Sequence, residues 1–327
     1  MNDVNWQQDY ERLLQREQER VSQESQLNSS MISQYQELCT TNISTESSTK
    51  NQSLDSSIKK TTAFVRRLKS LTSDSFPSLI QDAKRLNLSK FAVEVASSIG
   101  TSKLNHKNRS DFSQCTTLCS ILHQYYAAFS PELLSHLLTS SFSVPSFADI
   151  KSLPSLKYPI PASFTRVDPN QRRATVRLLF ELYSAGIFPP SKVDGSIVSV
   201  LERMFYEDSI EVKGIQKIEI SARGKPGAPG SDKQLVDATS ASCLFNLPTF
   251  MVIIRSFGDF GKFELFRHVL SESEYSQLLN IVDNYSKMLI DFAKHSIAVF
   301  LRVSTENDVF VVQKVVYQKR SRQEQMS

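Results

Sequence analysis

Cys115 and Cys119 stand one helical turn apart, a spacing that could hold a metal ion. No second pair of cysteines or histidines completes a zinc site, and both thiols fall inside an apolar stripe, so they read as small buried hydrophobes. His123, between Leu122 and Tyr125 on the same helix, reads as a histidine satisfied by a neighbour and not as a catalytic base. Asp259-Phe260-Gly261 spells the metal-binding triplet of protein kinases, but no Gly-rich loop and no His-Arg-Asp catalytic loop precede it. The triplet reads as a turn. The Gly/Pro-rich piece Gly224–Gly230 lacks the Lys-Ser/Thr ending of a phosphate-binding loop, and its prolines remove the N–H groups such a cradle needs. The neighbouring acids Glu207 with Asp208, and Glu272 with Glu274, read as solvated helix ends, without the apolar pocket that raises a catalytic carboxyl. No assembled catalytic site emerges, and no cofactor or metal is implied.

Two basic clusters remain as candidate binding residues: Lys59, Lys60, Arg66, Arg67 and Lys69, and then Arg172, Arg173 and Arg177. If neighbouring helices brought the clusters together, they would form a ridge for phosphate or for an acidic partner. The plainer reading is a solvated face. No aromatic residues interleave with them to stack on bases; Tyr125 and Tyr126 belong to a core stripe.

The elements that must carry these residues are helices. Phe112, Cys115, Leu118, Cys119, Leu122, Tyr125, Tyr126 and Phe129 recur in steps of three and four, which predicts a helix over 112–129 with Asp111 as its N-cap. Ser130-Pro131-Glu132 stops it and starts a second helix with Leu133, Leu134, Leu137 and Leu138 inward. A turn this short predicts an antiparallel pair. The pattern predicts further helices near Lys59–Leu71, Phe76–Leu86, Ser89–Gly100, Pro169–Ala185, 194–207, 235–257 and 272–302. Gly186 is positioned to cap the Pro169 helix, with Ile187 and Phe188 folding back onto the core. Pro145, Pro154, Pro159 and Pro161 make 140–168 a long connecting loop. The expected architecture is all-α, an α-solenoid of antiparallel helix hairpins.

The ends differ in composition. Residues 3–24 predict a polar helix with a weak apolar edge at Trp6, Tyr10, Leu13 and Leu14. Residues 25–57, rich in Ser, Thr, Asn and Gln, offer few apolar anchors and predict disorder. The expected organisation is therefore an N-terminal segment over 1–58, a helical repeat domain over 59–303 and an irregular basic tail over 304–327. Phe310–Tyr317 is β-branched and strand-like, with the alternating stretch Ile210–Ile220 as its candidate partner. The formal net charge of +4 is too mild to imply nucleic acid by itself. The N-terminus does not resemble a signal peptide, no apolar run reaches membrane-spanning length, and the four cysteines do not make a disulfide framework. An intracellular, reducing location is expected.

One resemblance narrows the reading. Thr62–Thr72 (TAFVRRLKSLT) followed by Leu86–Phe91 (LNLSKF), then Leu118–Tyr126 (LCSILHQYY), then Arg177–Tyr183 (RLLFELY) with Gly186-Ile187-Phe188, is similar to the first MIF4G domain of the Upf2 (Nmd2) family of nonsense-mediated mRNA decay factors. The likeness covers about 60–208 well and 235–300 weakly. It implies a MIF4G/HEAT-like scaffold without enzymatic activity. The partners it implies are decay-complex proteins, namely the Upf family and its associated kinase, and mRNA–protein complexes, in the cytoplasm or near the nucleus. In the family the first MIF4G domain is largely structural, the third contacts Upf3, and the Upf1-binding region is distal. A chain of this length is expected to lack those later parts, as a truncated or diverged member. An RNA-binding module and a translation-initiation adaptor of the same fold are the alternatives.

Overall fold

The computed structural model describes residues 3–44, 54–102, 104–105, 108–142, 168–188, 196–223, 244, 246–258 and 263–297. The expectations for Gly224–Gly230, Asp259–Gly261, the loop beyond residue 142 and the strand-like tail lie outside these residues.

The regular elements among the described residues are helical: α1 Asp3–Ser44, α2 Ile58–Leu68, α3 Phe76–Arg85, α4 Ala92–Gly100, α5 Arg109–Tyr125, α6 Phe129–Ser141, α7 Pro169–Ser184, α8 Ile197–Arg223, α9 Leu247–Ile253 and α10, residues 272–297. An isolated bridge joins Asp55 to Leu86. Alternate helices stack: α2 on α4 on α6 in one layer, and α3 on α5 on α7 in the other. The helix α7 touches both layers and then α9, which places it at the centre. The solenoid expected from the apolar periodicity is present. The pairing is different in detail, because α6 packs mainly on α4 and α7 and only lightly on its sequence neighbour α5.

The break between α5 and α6 falls at Tyr126–Ala128, so Phe129 opens α6 and does not close α5. Tyr126 makes this break. Its hydroxyl donates to the Leu86 carbonyl at 2.8 Å and accepts from the Leu88 N–H at 3.0 Å, tying the turn to the end of α3. The cap of α5 is Asn108, whose side chain accepts from the Ser110 N–H at 3.2 Å. Asp111, the expected cap, is buried within the first turn and accepts from the Ser73 hydroxyl at 2.6 Å. Asp168 caps α7, and Ser271 with Glu274 forms a capping box on α10.

Two glycines are required by close approach. A side chain on Gly100 would put its Cβ 2.9 Å from the His136 Cβ, where α4 meets α6. Gly186 ends α7 with φ 68°, and the Ile187 N–H returns to the Leu182 carbonyl at 3.1 Å. That turn sends Ile187 and Phe188 into the core, as the sequence predicts.

The N-terminal segment corrects its expectation. The helix continues through the Ser/Thr/Asn-rich stretch to Ser44. Its last turns dock on α5, α7 and the turn at Glu264–Phe266. Met31, Ile32, Tyr35, Leu38, Cys39 and Asn42 supply a helical stripe within the polar composition, with Tyr35, Cys39 and Asn42 buried. Asn42 binds the Ala185 carbonyl at 2.8 Å and accepts from Ser120 at 2.7 Å and Gln124 at 3.0 Å. From Tyr10 to Ser30, by contrast, every described side chain is exposed.

A second correction concerns Ile210–Ile220. The alternation there does not make a strand; the backbone continues α8 to Arg223. Met204, Asp208 and Val212 are buried at four-residue steps, and that stripe, packed against its neighbours, overrides the two-residue alternation. No described helix is long and apolar enough to cross a membrane.

Candidate functional site

The first basic cluster lies on α2, with Lys69 at its C-cap. Lys59, Lys60, Arg66 and Lys69 are exposed and Arg67 is half-buried. Lys60 pairs with Asp55 at 2.7 Å, and Arg67 with Asp82 at 2.7 Å. Both pairs are solvated, so they contribute little to stability.

The second cluster does not behave as one surface. Residues 173 and 177, one turn apart, share a face of α7, and 172 lies on another, and α7 is packed on several sides. Arg172, 2 % exposed, turns into the body. It donates to Glu207 at 3.2 Å and to the Asn246 side-chain oxygen, with its guanidinium 4.8 Å from the Phe142 ring centre. Arg203 joins from α8, donating to Glu207 at 3.0 Å with its guanidinium 4.1 Å from the centre of the same ring. Asn246 passes the network to Asp208 at 3.0 Å, and the Tyr285 hydroxyl closes it on Asp208 from α10. Two guanidiniums thus face two carboxylates in the interior. Burial lowers the Arg172 pKa, and the Glu207 and Asp208 charges oppose that shift. Burial and the Asp208 charge push the Tyr285 phenol well up. The expectation that Glu207 and Asp208 are solvated helix-end acids is therefore overturned; both are buried within α8.

Arg177, 5 % exposed, turns to a different side. It pairs with Glu181 at 3.4 Å and lies over Phe112 with 4.3 Å between guanidinium and ring centre. Glu181 also accepts from the Tyr35 hydroxyl of α1. Burial raises the Glu181 pKa, against the pull of Arg177, of Tyr35 and of the Arg109 charge. Tyr35 is raised well above the usual phenol range by burial, then by the Glu181 charge. The docked end of α1 is thereby tied to α7 through the Glu181 side chain.

Arg173 is the member of the cluster left half-exposed. Its guanidinium is held by the Asn170 side chain at 2.5 Å and the Pro169 carbonyl at 3.2 Å. It borders a cleft of about 530 Å³ lined by Arg109, Arg173, Arg177, Arg255 and Ser256, with Pro248, Met251 and Val252 as an apolar wall. Four arginines, from α5, α7 and the turn after α9, border it. Glu181 pairs with Arg177 and is acted on by the Arg109 charge. Guanidinium forks suit carboxylate and phosphate oxygens, so the cleft is built to hold an anionic group. The α2 cations are not among the residues that line it. Arg109 and Arg255 escape sequence reasoning because no local pattern links them to α7.

The other chemistry-bearing residues are structural. The His123 Nδ1 lies 2.6 Å from the Ser130 hydroxyl, the neighbour its position at the seam calls for, and burial lowers its pKa. Cys115 and Cys119 are buried free thiols, and burial pushes Cys119 well up, away from the reactive thiolate. Among the described residues, no group of three His, Cys, Asp or Glu side chains could hold a metal ion.

Comparison with known proteins sets this site in context. No family model matches the chain. It is 33% identical over 150 residues to the Arabidopsis thaliana regulator of nonsense transcripts UPF2, a stretch that is 46% of this chain and 12% of that one. It is 48% identical over 81 residues to the human regulator of nonsense transcripts 2, covering 25% of this chain and 6% of the relative. Over these stretches the chain is similar to Upf2. The Schizosaccharomyces pombe nonsense-mediated mRNA decay protein 2 is 33% identical over 97 residues, 29% of this chain and 9% of the relative. The chain therefore spans a small fraction of the curated relatives it matches. Among solved structures, the first MIF4G domain of human nonsense mediated decay factor UPF2 matches with a TM-score of 0.47 and 23% identity, over 86% of this chain and 96% of that one. The N-terminal mIF4G domain of Saccharomyces cerevisiae Upf2 gives 0.41 and 19%, over 80% and 96%.

Proposed function

We propose that the chain is a non-enzymatic scaffold in nonsense-mediated mRNA decay, acting in the cytoplasm or near the nucleus and holding decay-complex proteins of the Upf family and their associated kinase. The similarity to regulators of nonsense transcripts from plant, mammal and fission yeast carries this reading. The physical arrangement agrees with it. Stacked helices give an extended, rigid surface whose buried polar groups are tied into structural networks, which suits protein recognition.

The test is affinity purification of the 327-residue chain from cell extract, together with a reporter mRNA carrying a premature stop codon. Recovery of decay factors, and stabilisation of the reporter when the chain is depleted, is the expected result. Recovery of translation-initiation factors alone, with the reporter unchanged, refutes it.

A further inference from the structure

The arginine-lined cleft is not explained by packing. Arg172 and Arg203 serve the interior network, but Arg173 and Arg255 present charge to an open concavity, and Arg109 and Arg177 add to it. We propose that this cleft receives an acidic peptide segment of a partner protein, its carboxylates on the guanidiniums and one aliphatic side chain against Pro248, Met251 and Val252. The proposal rests on the scaffold reading and adds the chemistry of one partner to it.

Three observations favour an acidic peptide. First, the charge is complementary, since Arg109, Arg173 and Arg255 line the cleft with part of their surface exposed, beside an Arg177 already paired with Glu181, and no acidic side chain is among the described residues that line it. Second, two of the cations are already held in place. Arg177 is fixed by Glu181 and Phe112, and Arg173 by Asn170 and the Pro169 carbonyl. Less side-chain freedom is lost when a carboxylate arrives, which favours binding. Third, the uncharged wall is aliphatic: Pro248, Met251 and Val252, with Met251 exposed. An aliphatic wall matches a hydrophobic residue set among acids. It offers no aromatic platform for a nucleobase, and no aromatic side chain is among the described lining residues. The volume of about 530 Å³ admits a few side chains, the size of a short anchoring segment and not of a folded domain.

The experiment is a fluorescence-anisotropy titration of the full chain with a labelled Asp/Glu-rich peptide carrying one central leucine, beside a labelled uridine-rich RNA of similar length. The expected result is peptide binding that weakens as salt rises past roughly 0.15 M. Arg173→Glu with Arg255→Glu should lower the affinity at least about tenfold, because each change replaces attraction by repulsion. Lys59→Glu with Lys60→Glu, on exposed α2, should leave it unchanged. Circular dichroism checks that the charge-reversed chain keeps its helices. Arg255→Gln, a milder change at an exposed position, should still weaken binding several-fold. No peptide binding, equal binding by the variants, or RNA binding that depends on Arg173 and Arg255 without peptide binding, each overturns the proposal. The titration contains no decay factor, so its failure leaves the scaffold reading standing. Loss of decay factors from the purification, conversely, leaves the titration result intact.

Discussion

Arg172 and Arg173 are neighbours in sequence with opposite fates, and that contrast can be tested by replacing each with methionine. In Arg172→Met, Glu207 and Asp208 remain buried with Arg203 as their guanidinium partner in the network, and Asn246 loses the donor on its side-chain oxygen. The interior changes from two charges of each sign to a net negative. Removing one partner of such a buried pair costs about 3–5 kcal/mol. For a cooperative unit of about 200 residues, that corresponds to a fall in Tm of roughly 6–20 °C. Arg173→Met removes contacts at a half-exposed position and should stay within about 0.5 kcal/mol. Adding Glu207→Gln to Arg172→Met restores neutrality, leaving Arg203 against Asp208. The double variant should be more stable than the sum of the two single changes by about 1 kcal/mol or more. Differential scanning calorimetry with urea unfolding measures the parent chain, the three single variants and the double variant. Equal losses for the two arginines, or strict additivity in the double variant, would refute the claim that a balanced ionic network organises the region where α7, α8, α9 and α10 meet.

Three further outcomes follow from the docking of α1 and from two histidines with lowered pKa values. Gly186→Ala should cost about 1–2 kcal/mol for the left-handed backbone. It should also loosen α1, since the new Cβ would lie 2.9 Å from the Cys39 sulfur; faster amide exchange over 35–44 is the readout. Tyr35→Phe removes the phenolic donor from Glu181 and should cost about 1–3 kcal/mol. Its loss of exchange protection should be concentrated in the last turns of α1, and a uniform loss across α5 and α7 would show that α1 is not a separately docked element. Burial depresses the pKa of both His123 and His268 below the ordinary 6.5. Their contribution to stability is therefore present above that value and lost as pH falls through the depressed folded values. His123→Gln with His268→Gln should flatten the decline in Tm on the acid side of 6.5, and an unchanged slope would exclude them as its source.

Periodicity alone located the helices from Phe76 to Ser141 to within a few residues, because a stripe of Leu, Phe and Cys at steps of three and four has few ways to be buried. The same logic held for α7 and for its Gly186 stop, where only a residue tolerating positive φ fits the turn. It failed at residues 31–42. The stripe from Met31 to Asn42 is present, but Ser, Thr, Asn and Gln surround it, and its order depends on contacts with α5, α7 and the 264–266 turn, which composition does not record.

Charge is where sequence and tertiary structure part most clearly. The arginines of α7 are visible as a cluster, yet a side chain's role depends on which neighbour its face meets. Packing sent Arg172 to Glu207 on α8, and Arg177 to Glu181 and the Phe112 ring. It left Arg173 beside Arg109 and Arg255, from 64 residues before and 82 residues after it in the chain. The apolar spacing by itself determined a helical stack. The inward or outward fate of each cation, and so the existence of the cleft, was decided only when distant helices closed on α7, because desolvation and pairing are properties of the assembled neighbourhood and not of the residue.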